Sequence, residues 1–334
     1  MFEKAISMIV IFVILLTSVF SNTYAMNTNN VHKPDEYKCV RFQNQNNSGK
    51  SDSEIIKEKM NAANISDAYF NYISKNIASE IKNATEIITI TSYYIESSEG
   101  EMVKTSSEQY KSRVKAVKEM QRFEKEKRID EINRSGGAFV SNGNSAVFNG
   151  GTLNIAVVLV TSNGTDYSCS GLFQWETLPS KRHKDAFGLS RDTNTSVYAN
   201  TAFGEYAITH EYSFMSGLTY QTSESTSYTH VSFNELEASS TGYAFEYTIP
   251  IDSHDEQYPY SSFVYTEIAG GLTYEGHVTQ PSVTTSVNHW ATYAHQKLSL
   301  LFNGINFSYP FNMGFTITFG FAYDQLIDEH LWLR

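Results

Sequence analysis

The chain has 334 residues, with 36 Asp/Glu against 25 Lys/Arg and a net charge of −11 at neutral pH. An acidic surface repels phosphate backbones, which excludes nucleic acid as a partner. Two cysteines allow one bridge at most and exclude a disulfide scaffold.

The chain opens "MFEKAISMIVIFVILLTSVFSNTYA". A thin cationic start, an apolar run over residues 5–20 and the small residues Thr23 and Ala25 form the pattern of a cleaved secretory signal. The run is shorter than the roughly 20 residues that a membrane-spanning helix needs. Residues 1–25 are therefore expected to be removed near Met26. That leaves no transmembrane span and a secreted protein, free or attached to the envelope. Residues 26–50 are rich in Asn and Gln and are expected to form a flexible linker.

Residues 51–135 read as a helical leader with one strand. Ser51 and Glu54 make a capping box ahead of Ile55, Ile56 and Met60. Ser66 reads as a second N-cap, before Tyr69, Ile73, Ile77 and Ile81 at helical spacing. Residues 85–97, "TEIITITSYYIES", are dense in β-branched and aromatic types, so a strand is expected. Ser106 and Gln109 open a third helix, which Gly136 and Gly137 end. Its apolar stripe of Tyr110, Val114, Val117 and Met120 fades after Phe123, and residues 111–134 hold nine Lys/Arg against five Asp/Glu. Such a helix either connects through solvent or offers a basic face to an anionic membrane or wall polymer.

Residues 138–334 read as all-β. Tyr167, Cys169, Phe173 and Trp175 share one parity, as do Tyr243, Phe245, Tyr247, Ile249 and Ile251, and again Phe315, Ile317, Phe319, Phe321 and Tyr323. That alternation belongs to half-buried antiparallel strands. Asn303-Gly304 is a hairpin signal. The expected fold class is α+β: a helical N-terminal leader, then a mainly antiparallel β-sandwich or barrel-like domain. Cys169 is expected in the β core as a small hydrophobe, unbridged to Cys39.

Chemistry is sparse. In "NHWATYAHQ" (288–296) a strand would hold His289 and His295 about 20 Å apart, whereas zinc ligands lie about 2 Å from one ion. In a helix the pair would fall on different faces, so the two cannot share a metal and no cofactor is expected. His210-Glu211 lacks the second histidine of a zincin, and nucleophile-elbow, Walker and EF-hand patterns do not occur. Segments 252–257 and 327–330 each set carboxylates beside one histidine, and those carboxylates would suit Ca²⁺ or the carboxylate pair of a glycoside hydrolase. Loop 178–194 holds four of the six Lys/Arg of residues 139–334. Lys181, Arg182 and Lys184 are the candidate anion-binding residues, and a cell-wall polymer or other anionic surface is the expected partner.

Two stretches, "LFQWETLPSKRHKDAFGLSRDTNTSV" and "YAHQKLSLLFNGINFSYPFNMGFTITFGFAYDQ", resemble a loose group of uncharacterised secreted proteins of Gram-positive bacteria. The resemblance spans about the last two-thirds of the chain. It implies secretion and a β-rich C-terminal region, and brings no activity, cofactor or site residue with it. The expected function is a non-catalytic extracellular binding or envelope-associated role. Two alternatives stand beside it. One is a secreted hydrolase using Asp/Glu carboxylates. The other is a β-type membrane-active protein inserting "SGLTYQTSESTSYTHVSF" (216–233), although that segment is polar on both faces.

Overall fold

A computed structural model describes residues 36–42, 49–65, 75–134, 150–216, 219–254, 262–284, 286–296, 306–308, 316–318 and 323–333. The signal-peptide reading, the Ser66 cap, the Gly136-Gly137 stop and the Asn303-Gly304 hairpin lie outside them.

In chain order, β1 (Glu36–Arg41) precedes α1 (Asp52–Ala62) and α2 (Lys75–Asn83). Strands β2 (Glu86–Glu96) and β3 (Met102–Thr105) lead into α3 (Ser107–Arg134). Next come β4 (Thr152–Thr161), β5 (Asp166–Thr177), β6 (Lys184–Arg191), β7 (Thr195–Val197), β8 (Phe203–Ser216) and β9 (Thr219–Val231). Then follow β10 (Glu237–Ala238), β11 (Gly242–Thr248), β12 (Ser253–His254), β13 (Ser262–Val278) and β14 (Ser286–Gln296). Last are β15 (Asn306–Ser308), β16 (Thr316–Thr318) and β17 (Tyr323–Leu333).

The strands form a ten-stranded sheet ordered β1-β2-β4-β5-β13-β8-β9, with β3, β7 and β12 at its margins. A five-stranded sheet runs β10-β11-β6-β14-β17, and β15 pairs with β16.

The α+β expectation does not hold. Among the described residues strand accounts for 55% against 21% helix, the sheets are open, and no helical leader stands ahead of the β region. The segment assigned to the leader instead supplies β2 and β3 to the large sheet. The reason lies in β2 and β4. "EIITITSYYIE" is buried almost throughout and "TLNIAVVLVT" entirely. Strands without a wet face need cover on both sides. The five-stranded sheet covers one side, where Ile88, Leu153, Ile155 and Val157 join Phe187 and Tyr293 in one core. The helices cover the other. Ile56 and Met60 of α1 and Ile81 of α2 pack on Ile87, Val158 and Val160, while Tyr110 and Val114 of α3 pack on Tyr93. Met120 and Phe123 stay exposed, where the apolar stripe fades.

The basic face of α3 meets the sheet. Glu211 of β8 stands directly opposite Glu224 of β9. Lys125 pairs with Glu211 at 2.6 Å, and Lys118 with Glu176 of β5 at 3.5 Å. Like charges opposed across strands are unfavourable, so lysines seven residues apart on one helix face relieve the outer surface of the sheet.

Helix α2 carries a group whose ionisation opposes docking. Burial, together with the Glu275 carboxylate of β13, pushes the Glu80 carboxyl up to about 7. A carboxyl raised above its unfolded value holds, when folded, a proton that unfolding releases. Its stabilisation is complete below the ordinary carboxylate range and is lost as pH rises through about 7. Glu80 keeps some solvent contact, so screening limits the effect to about 1–2 kcal/mol. Urea midpoints should fall between about pH 5 and about pH 8, and Glu80→Gln should flatten that fall. An identical pH profile in both proteins would remove Glu80 from this role.

Candidate functional site

The gap between the α1 end and the start of α3 is a polar cleft on the outer face of the ten-stranded sheet. It encloses about 300 Å³. Its floor is Thr89, Thr91 and Tyr93 of β2 with Asn154, Ala156 and Val158 of β4. These alternate residues face outward because their neighbours Ile88, Ile90, Leu153, Ile155 and Val157 face the opposite way.

One wall is the C-terminal end of α1. The capping box of Ser51 and Glu54 fixes its start. At its end Asn64 takes φ 61°, with hydrogen bonds from Asn64 N to Asn61 O at 3.1 Å and from Ile65 N to Met60 O at 2.9 Å. This pair of bonds closes a helix on a left-handed residue, a conformation asparagine tolerates. The Thr89 hydroxyl donates to Ala63 O at 2.6 Å and ties this wall to the floor. At the rim the Asn64 amide and the Tyr93 hydroxyl both donate to Glu36 of β1, the latter at 3.0 Å.

The opposite wall is Tyr110 and Lys111 of α3, with Glu176 of β5 beyond. Gln109 N donates to the Ser106 hydroxyl at 3.3 Å, the cap that sets where α3 begins. Asn154 Nδ2 donates to the Tyr110 hydroxyl at 3.1 Å and to Gln174 at 3.3 Å, and Gln174 donates to Glu267 at 2.8 Å. Burial and the Glu176 carboxylate push the Tyr110 phenol well up, so it stays protonated. Burial likewise raises Glu267. The Tyr93 and Tyr110 rings stand 4.9 Å apart. The lining thus offers hydroxyls, amides, two phenol rings, one amine and one carboxylate. It suits hydrogen bonding to a neutral polar molecule better than nucleophilic attack.

The histidine pair has a different fate. "NHWATYAHQ" lies in β14, paired with β6 on one side and β17 on the other. His289 meets the Tyr274 hydroxyl at 2.8 Å and stands edge-on to Tyr167. His295 Nδ1 lies 3.1 Å from Asp185 of β6. Asp185 also accepts from the Tyr293 hydroxyl at 2.5 Å and from Gln296 N at 3.2 Å. Trp175 Nε1 donates to Tyr293 at 2.7 Å, and Tyr247 bonds Tyr293 as well. An Asp–His pair resembles catalytic machinery. Here both side chains are at most 1% exposed, so a substrate cannot reach them and the cluster joins strands. Among the described residues, no three His, Cys, Asp or Glu side chains converge as a metal site.

The basic loop is matched by acid at close range. Arg182 pairs with Asp252 at 2.5 Å and donates to Pro250 O at 3.4 Å. Lys184 pairs with Glu246 of β11 at 2.6 Å. The Lys181 amine and a Glu96 carboxylate oxygen both lie against Gly100. Glu96 itself is buried and accepts from Gly151 N and Ser180 N, each at 3.0 Å. The expected loop is interrupted by β6: Lys181 and Arg182 precede the strand, Lys184 begins it, and Arg182 and Lys184 have partners within the fold. Segment 252–257 contributes Asp252 to that pairing, and 327–330 falls in β17. Cys39 and Cys169 are free, the latter fully buried as its parity implies.

Sequence reasoning missed the cleft. The available signal was Thr89, Thr91 and Asn154, polar residues on one parity of otherwise apolar strands. No protein-family model and no curated protein matches the chain. Among the described residues no helix is long and apolar enough to cross a membrane.

Proposed function

We propose that this is a secreted, non-catalytic binding protein whose cleft takes a neutral, hydroxyl-rich ligand, with a short oligosaccharide as the fitting class. The observation that carries this reading is the lining. Asn61 and Asn64 at the rim and Thr91 and Asn154 on the floor converge beside the Tyr93 ring in a recess of about 300 Å³, with Thr89 and Tyr110 buried behind them. The volume is at the lower end of the range for small-molecule sites. Amides and hydroxyls both donate and accept, which matches a sugar hydroxyl. A glycan of the cell envelope is the source that the expected secretory signal and extracellular setting favour.

The test is calorimetric titration with an oligosaccharide selected from a glycan panel. Thr91→Val removes one floor hydroxyl at nearly constant volume. The loss of one hydrogen bond should weaken binding about 2- to 12-fold. Binding should also hardly change with salt, because the ligand is neutral. Unaltered affinity in the Thr91→Val variant, together with steep loss in salt, would reject this site.

A further inference from the structure

Strand β9 ends the path of the ten-stranded sheet. It pairs with β8 from Gly204↔Val231 to Ser216↔Thr219 without a register break. Among the described residues, no strand pairs with its other edge. Every residue over 221–230 is exposed except Thr226, which is partly so.

A long open edge invites another strand, and proteins guard such edges with lysine, proline, bulges or short length. "TYQTSESTSYTHV" has 13 residues, no lysine, arginine or proline, and one carboxylate, Glu224. Nothing in this edge discourages pairing.

We propose that β9 pairs antiparallel with β9 of a second copy of this chain, about a two-fold axis at Ser225, joining the two large sheets edge to edge. Residues facing each other across the axis share a face of the sheet, so the axis falls on a residue. An axis at Glu224 would oppose two carboxylates, next to the Glu211 already opposite each one. The Ser225 axis sets Glu224 against Thr226, Ser223 against Ser227 and Gln221 against Thr229. It also sets Thr222 against Tyr228, an aromatic–β-branched pair formed twice by symmetry. Tyr228 is 63% exposed in the single chain. A foreign strand is selected by pockets for its alternate side chains. The serines and threonines beside this edge build no such pocket, which favours a self-complementary copy.

The experiment uses the full mature chain carrying Cys39→Ser, since Cys169 is buried. In the proposed register Ser225 faces itself at about 4.5–5.5 Å between Cα atoms, within disulfide reach. Ser227 lies four residues from its own mate, about 13 Å. Mild oxidation should crosslink Ser225→Cys into a covalent dimer and leave Ser227→Cys monomeric. Equal crosslinking of both variants, or of neither, would overturn the proposal. Sedimentation velocity supplies an independent reading. The native chain should pass from monomer to dimer as concentration rises. Ser223→Lys with Ser227→Lys in one chain opposes lysines twice and should weaken association about tenfold or more. Mixing it with the Ser223→Glu, Ser227→Glu chain should restore a heterodimer. A native chain monomeric at every concentration, or a lysine variant that associates as well as the native chain, would refute the pairing.

Discussion

Truncating Phe173 to alanine is expected to lower stability by about 3–5 kcal/mol, read as a fall in the urea midpoint at unchanged slope. Phe173 is fully buried on β5, and its ring meets four others from the second sheet. Phe187 of β6 lies at 4.9 Å, Tyr293 of β14 at 5.3 Å, and Phe245 and Tyr247 of β11 at 6.5 and 5.3 Å. The ring thus reaches three strands of the opposing sheet. Collapse into the cavity is hindered, because the neighbours are rigid rings and the space on the β13 side is backbone. Gly270 is glycine there since a Cβ would stand 2.8 Å from Phe173 Cζ and 2.6 Å from Glu205 O. A penalty near the top of the range follows, with Phe173→Leu costing less. A loss below about 1 kcal/mol would mean that this ring does not join the sheets.

Asp185→Ala should be nearly as damaging, at about 3–5 kcal/mol. The carboxylate is 1% exposed and accepts hydrogen bonds from Tyr293, Gln296 N and His295 at one point between β6 and β14. Each donor left without its acceptor in a dry interior costs about 1–3 kcal/mol. Tyr293 keeps Trp175 and Tyr247 as neighbours, so its share is the smallest. Asp185→Asn preserves shape but turns one acceptor into a donor facing other donors, and should recover only part of the loss. The near-ultraviolet signal of Trp175 should change in both variants. Native stability in Asp185→Ala would show that the cluster contributes nothing to joining these strands.

Much of the local structure was legible. The capping residues Ser51, Glu54, Ser106 and Gln109 mark helix starts, since side-chain satisfaction of the first N–H groups is a local matter. The parity of Tyr167, Cys169, Phe173 and Trp175 gave the buried face of β5. Ile251, counted on the same parity as Tyr247 and Ile249, is 71% exposed because β11 ends at Thr248. The arrangement was not legible. "EIITITSYYIE" reads as a strand, yet nothing in its pattern tells that helices cover one face and a sheet the other. The leader reading failed for that reason. Charge misled in a similar way: Arg182 and Lys184 stand out in sequence, while Asp252 and Glu246, which hold them, lie some 60 to 70 positions away. The histidines looked like chemistry because their burial depends on Asp185, Tyr274 and Tyr167, none of them near in sequence.

Hydrogen–deuterium exchange with and without a bound oligosaccharide tests the cleft most directly. Protection should gather in peptides covering residues 61–65, 89–93, 110–111 and 154–158, which are far apart in sequence and meet at the cleft. The basic loop of residues 178–183, with Lys184 at the start of β6, should exchange as before. Protection of that loop with no change at the four cleft segments would contradict the assignment and move the binding surface to Lys181, Arg182 and Lys184.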